Sequence, residues 1–238
     1  ALGYSQADAM LTIAKMNPDI NFVIVDYAFD ESPQNCTGVV FRAQESSFLV
    51  GYIAGLTTKT DKVGYVGPMK SFLNDQFQYG YMGGVAYAGH VLGRQIEVQS
   101  QFTESYTDAA KAKAISNKMY SSGCDIIFHS AGGAGYGVIE SAKENGKLVI
   151  GVDTDQSYLA PDNVLTSGMK NTNIAVELVS TMAMEGEKIG GNTYSYGLKE
   201  GCVGIPEENK IMDPAVYEQA MALQQMIIDE ELTPPVSE

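Results

Sequence analysis

Short apolar runs recur along the chain. Each is followed by a turn, often carrying glycine, and then by a stretch in which apolar positions return every three or four residues. Runs of this length, rich in Val, Ile and Phe, predict strands at Phe22–Asp26, Gly38–Phe41, Lys62–Val66, Ile96–Gln99, Asp125–Phe128, Leu148–Val152 and Val164–Ser167. The stretches around and between them predict helices at Gln6–Met16, Gln44–Thr58, Asp75–Gly89, Thr107–Ser121, Gly135–Asn145, Asn173–Gly186 and Pro214–Ile228. Ile174, Leu178 and Met182 share one helical face, and Val216, Ala220, Leu223 and Ile227 repeat that stripe. Pro214 directly after Asp213 is a helix-start signal. Apolar strands alternating with helices imply parallel sheets covered on both faces, a doubly wound α/β class.

Two polar breaks interrupt this rhythm, at Lys59–Lys62 and at Lys170–Asn173. They delimit one doubly wound unit, 61–170, and leave 1–60 and 171–238 to combine into another. Two crossings between two α/β lobes is the wiring of a hinged protein that closes on a ligand in an inter-lobe cleft.

Composition narrows the partners. The 238 residues carry 15 Lys+Arg against 29 Asp+Glu, a formal net charge of −14. Cations this sparse exclude nucleic acid, whose binding is driven by phosphate neutralisation and counterion release. They equally disfavour docking on an anionic membrane face. No apolar run approaches a bilayer span. Cys36, Cys124 and Cys202 lie far apart without a CxxC, so neither a zinc cluster nor a redox motif is written, and the odd count excludes a fully paired disulfide framework.

Candidate chemistry gathers at strand ends. Gly132-Gly133-Ala134-Gly135-Tyr136-Gly137 follows the strand ending at Phe128, with Asp153 at the end of the next strand. This nearly matches a dinucleotide fingerprint, but Val138 stands where its third glycine belongs. What remains is a glycine turn with backbone N–H groups at a helix start, or a plain tight βα turn. Asp153 is placed to clamp two vicinal hydroxyls of a sugar; the alternative is that Asp153 and Asp155 are both caps of the following turn. Two acids without a third ligand do not make a metal site, and no cofactor is expected. His90 and His129 are isolated, and His129 reads as a hydrogen-bonded structural histidine at a strand end. No nucleophile stands with a base in any hydrolase, kinase or metalloprotease motif. Asn35-Cys36-Thr37 fits the glycosylation pattern. The residues point to a binding protein, not an enzyme.

Longer motifs then carry a resemblance. Phe41-Arg-Ala-Gln-Glu45-Ser-Ser-Phe48-Leu-Val-Gly51-Tyr-Ile-Ala-Gly55, Lys62-Val-Gly-Tyr-Val-Gly67, Asp125-Ile-Ile-Phe-His-Ser-Ala-Gly-Gly-Ala-Gly135, Ile150-Gly-Val-Asp-Thr-Asp-Gln156, Val164-Leu-Thr-Ser-Gly-Met-Lys170 and Gly197-Leu-Lys-Glu-Gly-Cys-Val-Gly204 occur in order. Together they resemble the basic membrane protein family of substrate-binding lipoproteins over essentially the whole chain. The resemblance implies the type I periplasmic binding protein fold. It also implies a bacterial extracytoplasmic receptor, lipid-anchored through a cysteine outside this chain, that delivers nucleosides, chiefly purine nucleosides, to the permease subunits of an ABC importer. Ala1–Ala9 aligns with the family's third strand end and following helix, so the resemblance implies roughly 60–90 residues upstream and an incomplete lobe one.

Carried over residue by residue, the resemblance puts Tyr106 where relatives usually have Phe, stacking on the base; the plainer role is an aromatic capping the helix at Thr107. Asp153 would hold ribose hydroxyls, and Lys170 would bond ribose or base or else be a solvated hinge lysine. Gly132 and Gly133 would let the backbone reach the sugar, while Asp26 and Glu45 would face the cleft from lobe one or serve as caps. Two other classes stay open: a sensor domain closing on a ligand to signal to a fused effector, and an enzyme holding a nucleotide cofactor on the glycine turn.

Overall fold

The computed structural model describes residues 1–31, 33–208 and 210–237. In chain order it contains α1 (Ala7–Met16), β1 (Phe22–Val25), β2 (Cys36–Phe41), α2 (Ala43–Thr57), β3 (Lys62–Gly67), α3 (Phe72–Leu92), β4 (Glu97–Phe102), α4 (Ala109–Ser121), β5 (Ile126–His129), α5 (Gly135–Asn145), β6 (Leu148–Asp153), β7 (Val164–Lys170), α6 (Thr172–Met184), β8 (Thr193–Tyr196), β9 (Val203–Gly204) and α7 (Pro214–Ile228). Every expected strand and helix is present. The additions are β8 and β9, which lack a continuous apolar run: β8 reads Thr-Tyr-Ser-Tyr, half of it exposed, and β9 is two residues long.

The chain divides into two compact units, Ala1–Arg42 with Asn171–Val203, and Ala43–Lys170 with Gly204–Glu238. These bounds differ from the expected 1–60/171–238 and 61–170. Residues 43–60 and 204–238 fall in the second unit because α2 is held along its length by α3 and α7. The chain accordingly crosses between units at 42/43, 170/171 and 203/204. The expected hinge at Lys59–Lys62 is an α2–β3 connection inside the second unit. It is pinned where the Asp125 carboxylate accepts from Thr58 Oγ1 and from the Lys59 N–H, both at 2.7 Å.

In the first unit β1, β2 and β8 form a parallel sheet in that order. The opening residues run alongside β1, with Leu2 bridging Val25 in parallel. Ala7, Met10 and Ala14 of α1 close over Ile24 and Cys36. Asn35 Nδ2 reaches the carbonyls of Ala14, Asn17 and Ile20 at 3.0–3.1 Å, tying down the end of α1. The Asn-Cys-Thr triplet is thus a structural knot, its threonine fully buried.

In the second unit β4-β3-β5-β6-β7 are mutually parallel. Period-two alternation sends Tyr65, Ile126, Phe128, Ile150 and Leu165 to one face, under α2, α3 and α7. It sends Val66, Ile127, Val149 and Val164 to the other, under α4 and α5. The tightest joint is α2 on α3. A Cβ on Gly80 would lie 2.6 Å from the Gln44 carbonyl, and one on Gly84 would clash outright with the Phe48 carbonyl. Glycines on both helices let the backbones touch, which is why α2 is buried from Ala43 to Gly55 on nearly all sides.

Candidate functional site

Because these five strands are parallel, their carboxyl ends share one edge, and the connections leaving β3, β4, β5, β6 and β7 gather there. Open α/β sheets bind ligands at such an edge. Its residues come from separate parts of the sequence, and each is held by local chemistry.

The connection after β4 turns at Glu104, a non-glycine residue in the left-handed region (φ 54°). Ser105 Oγ accepts the Thr107 and Asp108 N–H groups at 3.1 Å, and Asp108 caps α4 by accepting from Lys111 N at 2.9 Å. Tyr106, between these anchors, keeps 37% of its surface exposed. Its carbonyl accepts the Ala134 N–H at 2.9 Å, and its phenol oxygen accepts from Asn74 Nδ2 at 3.0 Å. The helix start after it belongs to Asp108, so Tyr106 is not the cap.

The glycine turn after β5 is a 3-10 turn, Gly132–Ala134, leading into α5. Gly132 sits at φ 56°, and a Cβ there would stand 3.3 Å from the Tyr106 ring. Tyr106, Gly132 and Gly133 therefore form one cluster. The N–H groups of Ala134 and Gly135 are spent inside it, on Tyr106 and on Gly132 and Gly133. Gly135 and Gly137 have packing reasons of their own: a Cβ on Gly135 would run into the His129 ring, and one on Gly137 into the Ala109 carbonyl.

The end of β6 separates its two acids. Asp155 is a local cap, accepting from Ser157 N and Ser157 Oγ at 2.9 Å. Asp153 adopts φ 66° and its carboxylate stands 3.6 Å from Lys170 Nζ at the end of β7, with side-chain exposures of 45% and 17%. A pair this open is worth little as a stability element, so its place at the edge matters more than its energy. Beneath it Gln156 Oε1 accepts from Val152 N and from His129 Nε2, both at 3.0 Å. His129 is the structural histidine expected, and burial holds its pKa down to about 4, with the Gln156 bond opposing.

Five candidates thus share the second unit's edge: Tyr106, Gly132, Gly133, Asp153 and Lys170. Glu45 lies in the same unit but is buried in the first turn of α2, not in lobe one as expected. Asp26 is in the first unit, where its left-handed φ of 61° reverses the chain after β1 and its N–H reaches the Val39 carbonyl at 2.8 Å. Sequence reasoning missed Asn74, buried in the first turn of α3 and joined to Tyr106. It also missed Tyr65, whose hydroxyl lies 2.6 Å from Ser130 Oγ and whose phenol burial pushes well above its ordinary range, that bond opposing. Exposed Phe72, Tyr136 and Tyr158 add aromatics to the connections after β3, β5 and β6. No motif marks these residues; only Asn74 carries a faint signal, three positions after the helix-capping Ser71. Among the described residues no group of acids, histidines or cysteines could hold a metal ion.

A doubly wound parallel sheet with aromatic, acidic and basic side chains gathered at its strands' carboxyl ends is the kind of edge at which α/β proteins bind small molecules. The chain belongs to the Bmp family, ABC transporter substrate-binding protein PnrA-like, whose model matches residues 1–238. It is 38% identical to basic membrane protein B of Borreliella afzelii (strain PKo), over 100% of this chain and 69% of that protein. Its fold matches an ABC transporter solute-binding protein of Aeropyrum pernix K1 with a TM-score of 0.84 at 23% identity, covering 98% of this chain and 76% of that one. It matches a transcriptional activator of the comK gene from Bacillus halodurans with a TM-score of 0.87, also at 23% identity, over 98% and 79%. The family is one of extracytoplasmic substrate-binding proteins, not of enzymes, whose partners are a small-molecule ligand and permease subunits. Among the described residues no helix is long and apolar enough to cross a membrane.

Proposed function

We propose that this protein captures a nucleoside, chiefly a purine nucleoside, for an ABC importer, acting by binding alone and held at the bacterial cell surface by a lipid anchor outside this chain. The observation that carries the proposal is the shared edge of the second unit, with a half-open Tyr106 ring on Gly132 and the Asp153–Lys170 pair. Tyr106 stacks on the base, a contact worth about 1–3 kcal/mol that tolerates different bases. Asp153 accepts from two vicinal ribose hydroxyls, Lys170 donates to ribose or base, and Gly132 and Gly133 admit the sugar close to the backbone. Glu45, in the same unit, supplies a further polar contact.

Calorimetry on the full chain tests this. 2′-Deoxyadenosine leaves an Asp153 acceptor without its partner, at a cost of about 1–3 kcal/mol, so adenosine is expected to bind about 5- to 150-fold more tightly than 2′-deoxyadenosine. Asp153→Ala is expected to erase that preference. Equal affinity for the two nucleosides, or no binding of either, overturns the proposal.

A further inference from the structure

We infer that Asn74 is a positioning residue for Tyr106, fixing the ring through its phenol oxygen so that the stacking face is preformed before ligand arrives. The inference rests on the nucleoside reading of this edge and deepens it.

Both hydrogens of the Asn74 amide are committed: Nδ2 donates to the Met69 carbonyl at 2.8 Å and to Tyr106 Oη at 3.0 Å. The first bond fixes the amide's orientation, so the second cannot follow the phenol if the ring swings. Asn74 itself cannot drift. It is only 6% exposed, and its N–H is taken by Ser71 Oγ at 3.2 Å in the first turn of α3. Its carbonyl faces the fully buried Tyr65 hydroxyl, whose closer partner at 2.6 Å is Ser130, two residues before Gly132. One chain of polar contacts therefore ties the start of α3 to both connections that form the cluster.

The Tyr106 ring is consequently held at three places. Its backbone carbonyl is bonded to Ala134, one ring edge rests against Gly132, and its far end is bonded to Asn74. A phenylalanine would keep the first two and lose the third. Immobilising a side chain in advance removes an ordering cost that binding otherwise bears, which corresponds to about 2- to 10-fold in affinity.

The test is a double-mutant cycle on the adenosine Kd, by calorimetry, with wild type, Asn74→Ala, Tyr106→Phe and the double variant. Asn74→Ala is expected to weaken binding about five-fold when residue 106 is Tyr and to have almost no effect when it is Phe. Equal losses in both backgrounds mean that Asn74 supports α3 without acting through the phenol, and overturn the inference. Tyr106→Phe tests the point even if Asn74→Ala fails to fold, because it deletes only the hydroxyl: unchanged affinity overturns the inference while the nucleoside function stands. Wild-type protein that binds no nucleoside overturns both.

Discussion

His129 makes the stability of this chain depend on pH in a direction set by its surroundings. The ring is fully buried at the end of β5. Gln156 Oε1 accepts the Val152 N–H at 3.0 Å, so it faces Nε2 as an acceptor and Nε2 carries the ring hydrogen. Nδ1 then holds a lone pair, has no partner among the described residues, and is pressed against Gly135. Protonation would put a second N–H in that dry contact, and burial therefore lowers the pKa from 6.5 to about 4. The unfolded chain takes up the proton first as pH falls, so the stabilisation is complete above about 6.5 and is lost between there and about 4. That lowering corresponds to about 3 kcal/mol over the full range, of which about 2 kcal/mol is lost by about pH 5. Equilibrium urea unfolding from about pH 7.5 to about pH 5, on wild type and His129→Gln, measures it, since carboxylate titrations are common to both proteins. The variant is expected to be less stable at neutral pH and to show a flatter pH profile. A profile parallel to wild type would refute this account of the histidine.

Two further outcomes follow from the packing. Gly84→Ala drives a methyl group into the Phe48 carbonyl and should cost about 2–3 kcal/mol, or about 4–12 °C in a thermal melt. Gly204→Ala, whose added carbon meets nothing within 4 Å, is the control; equal midpoints for the two would show that the helices are not in backbone contact. Cys36, Cys124 and Cys202 are all fully buried, and burial pushes the Cys124 and Cys202 thiols up to about 11. A thiol reagent at neutral pH should label none of them in the native protein and all three in guanidinium chloride. Rapid native labelling of any one would contradict its burial.

The alternation of apolar runs and amphipathic stretches was enough to predict every principal strand and helix, because period and turn chemistry are local properties. It also placed Asp153 and Lys170 at strand ends and Gly132 in a βα turn, and so the edge on which they meet. The unit boundaries were not legible in the same way. Polar residues at Lys59–Lys62 look like a hinge in sequence, yet Asp125 fastens them from 66 residues away, and α2 belongs with α3 because their glycines meet. Nor could sequence separate Asp153 from Asp155, since capping is a matter of which N–H lies within reach.

By itself, then, the sequence determined the α/β class, the order of the principal elements and the family. Tertiary structure alone decided the rest: that Asn74 meets a tyrosine 32 residues away, that Gly135 is small for the sake of His129, and that Asp155 is spent on its own turn while Asp153 faces Lys170. The physical reason is that hydrogen bonds and steric contacts act over a few ångströms. Which groups come that close depends on strand register and on how helices seat against the sheet.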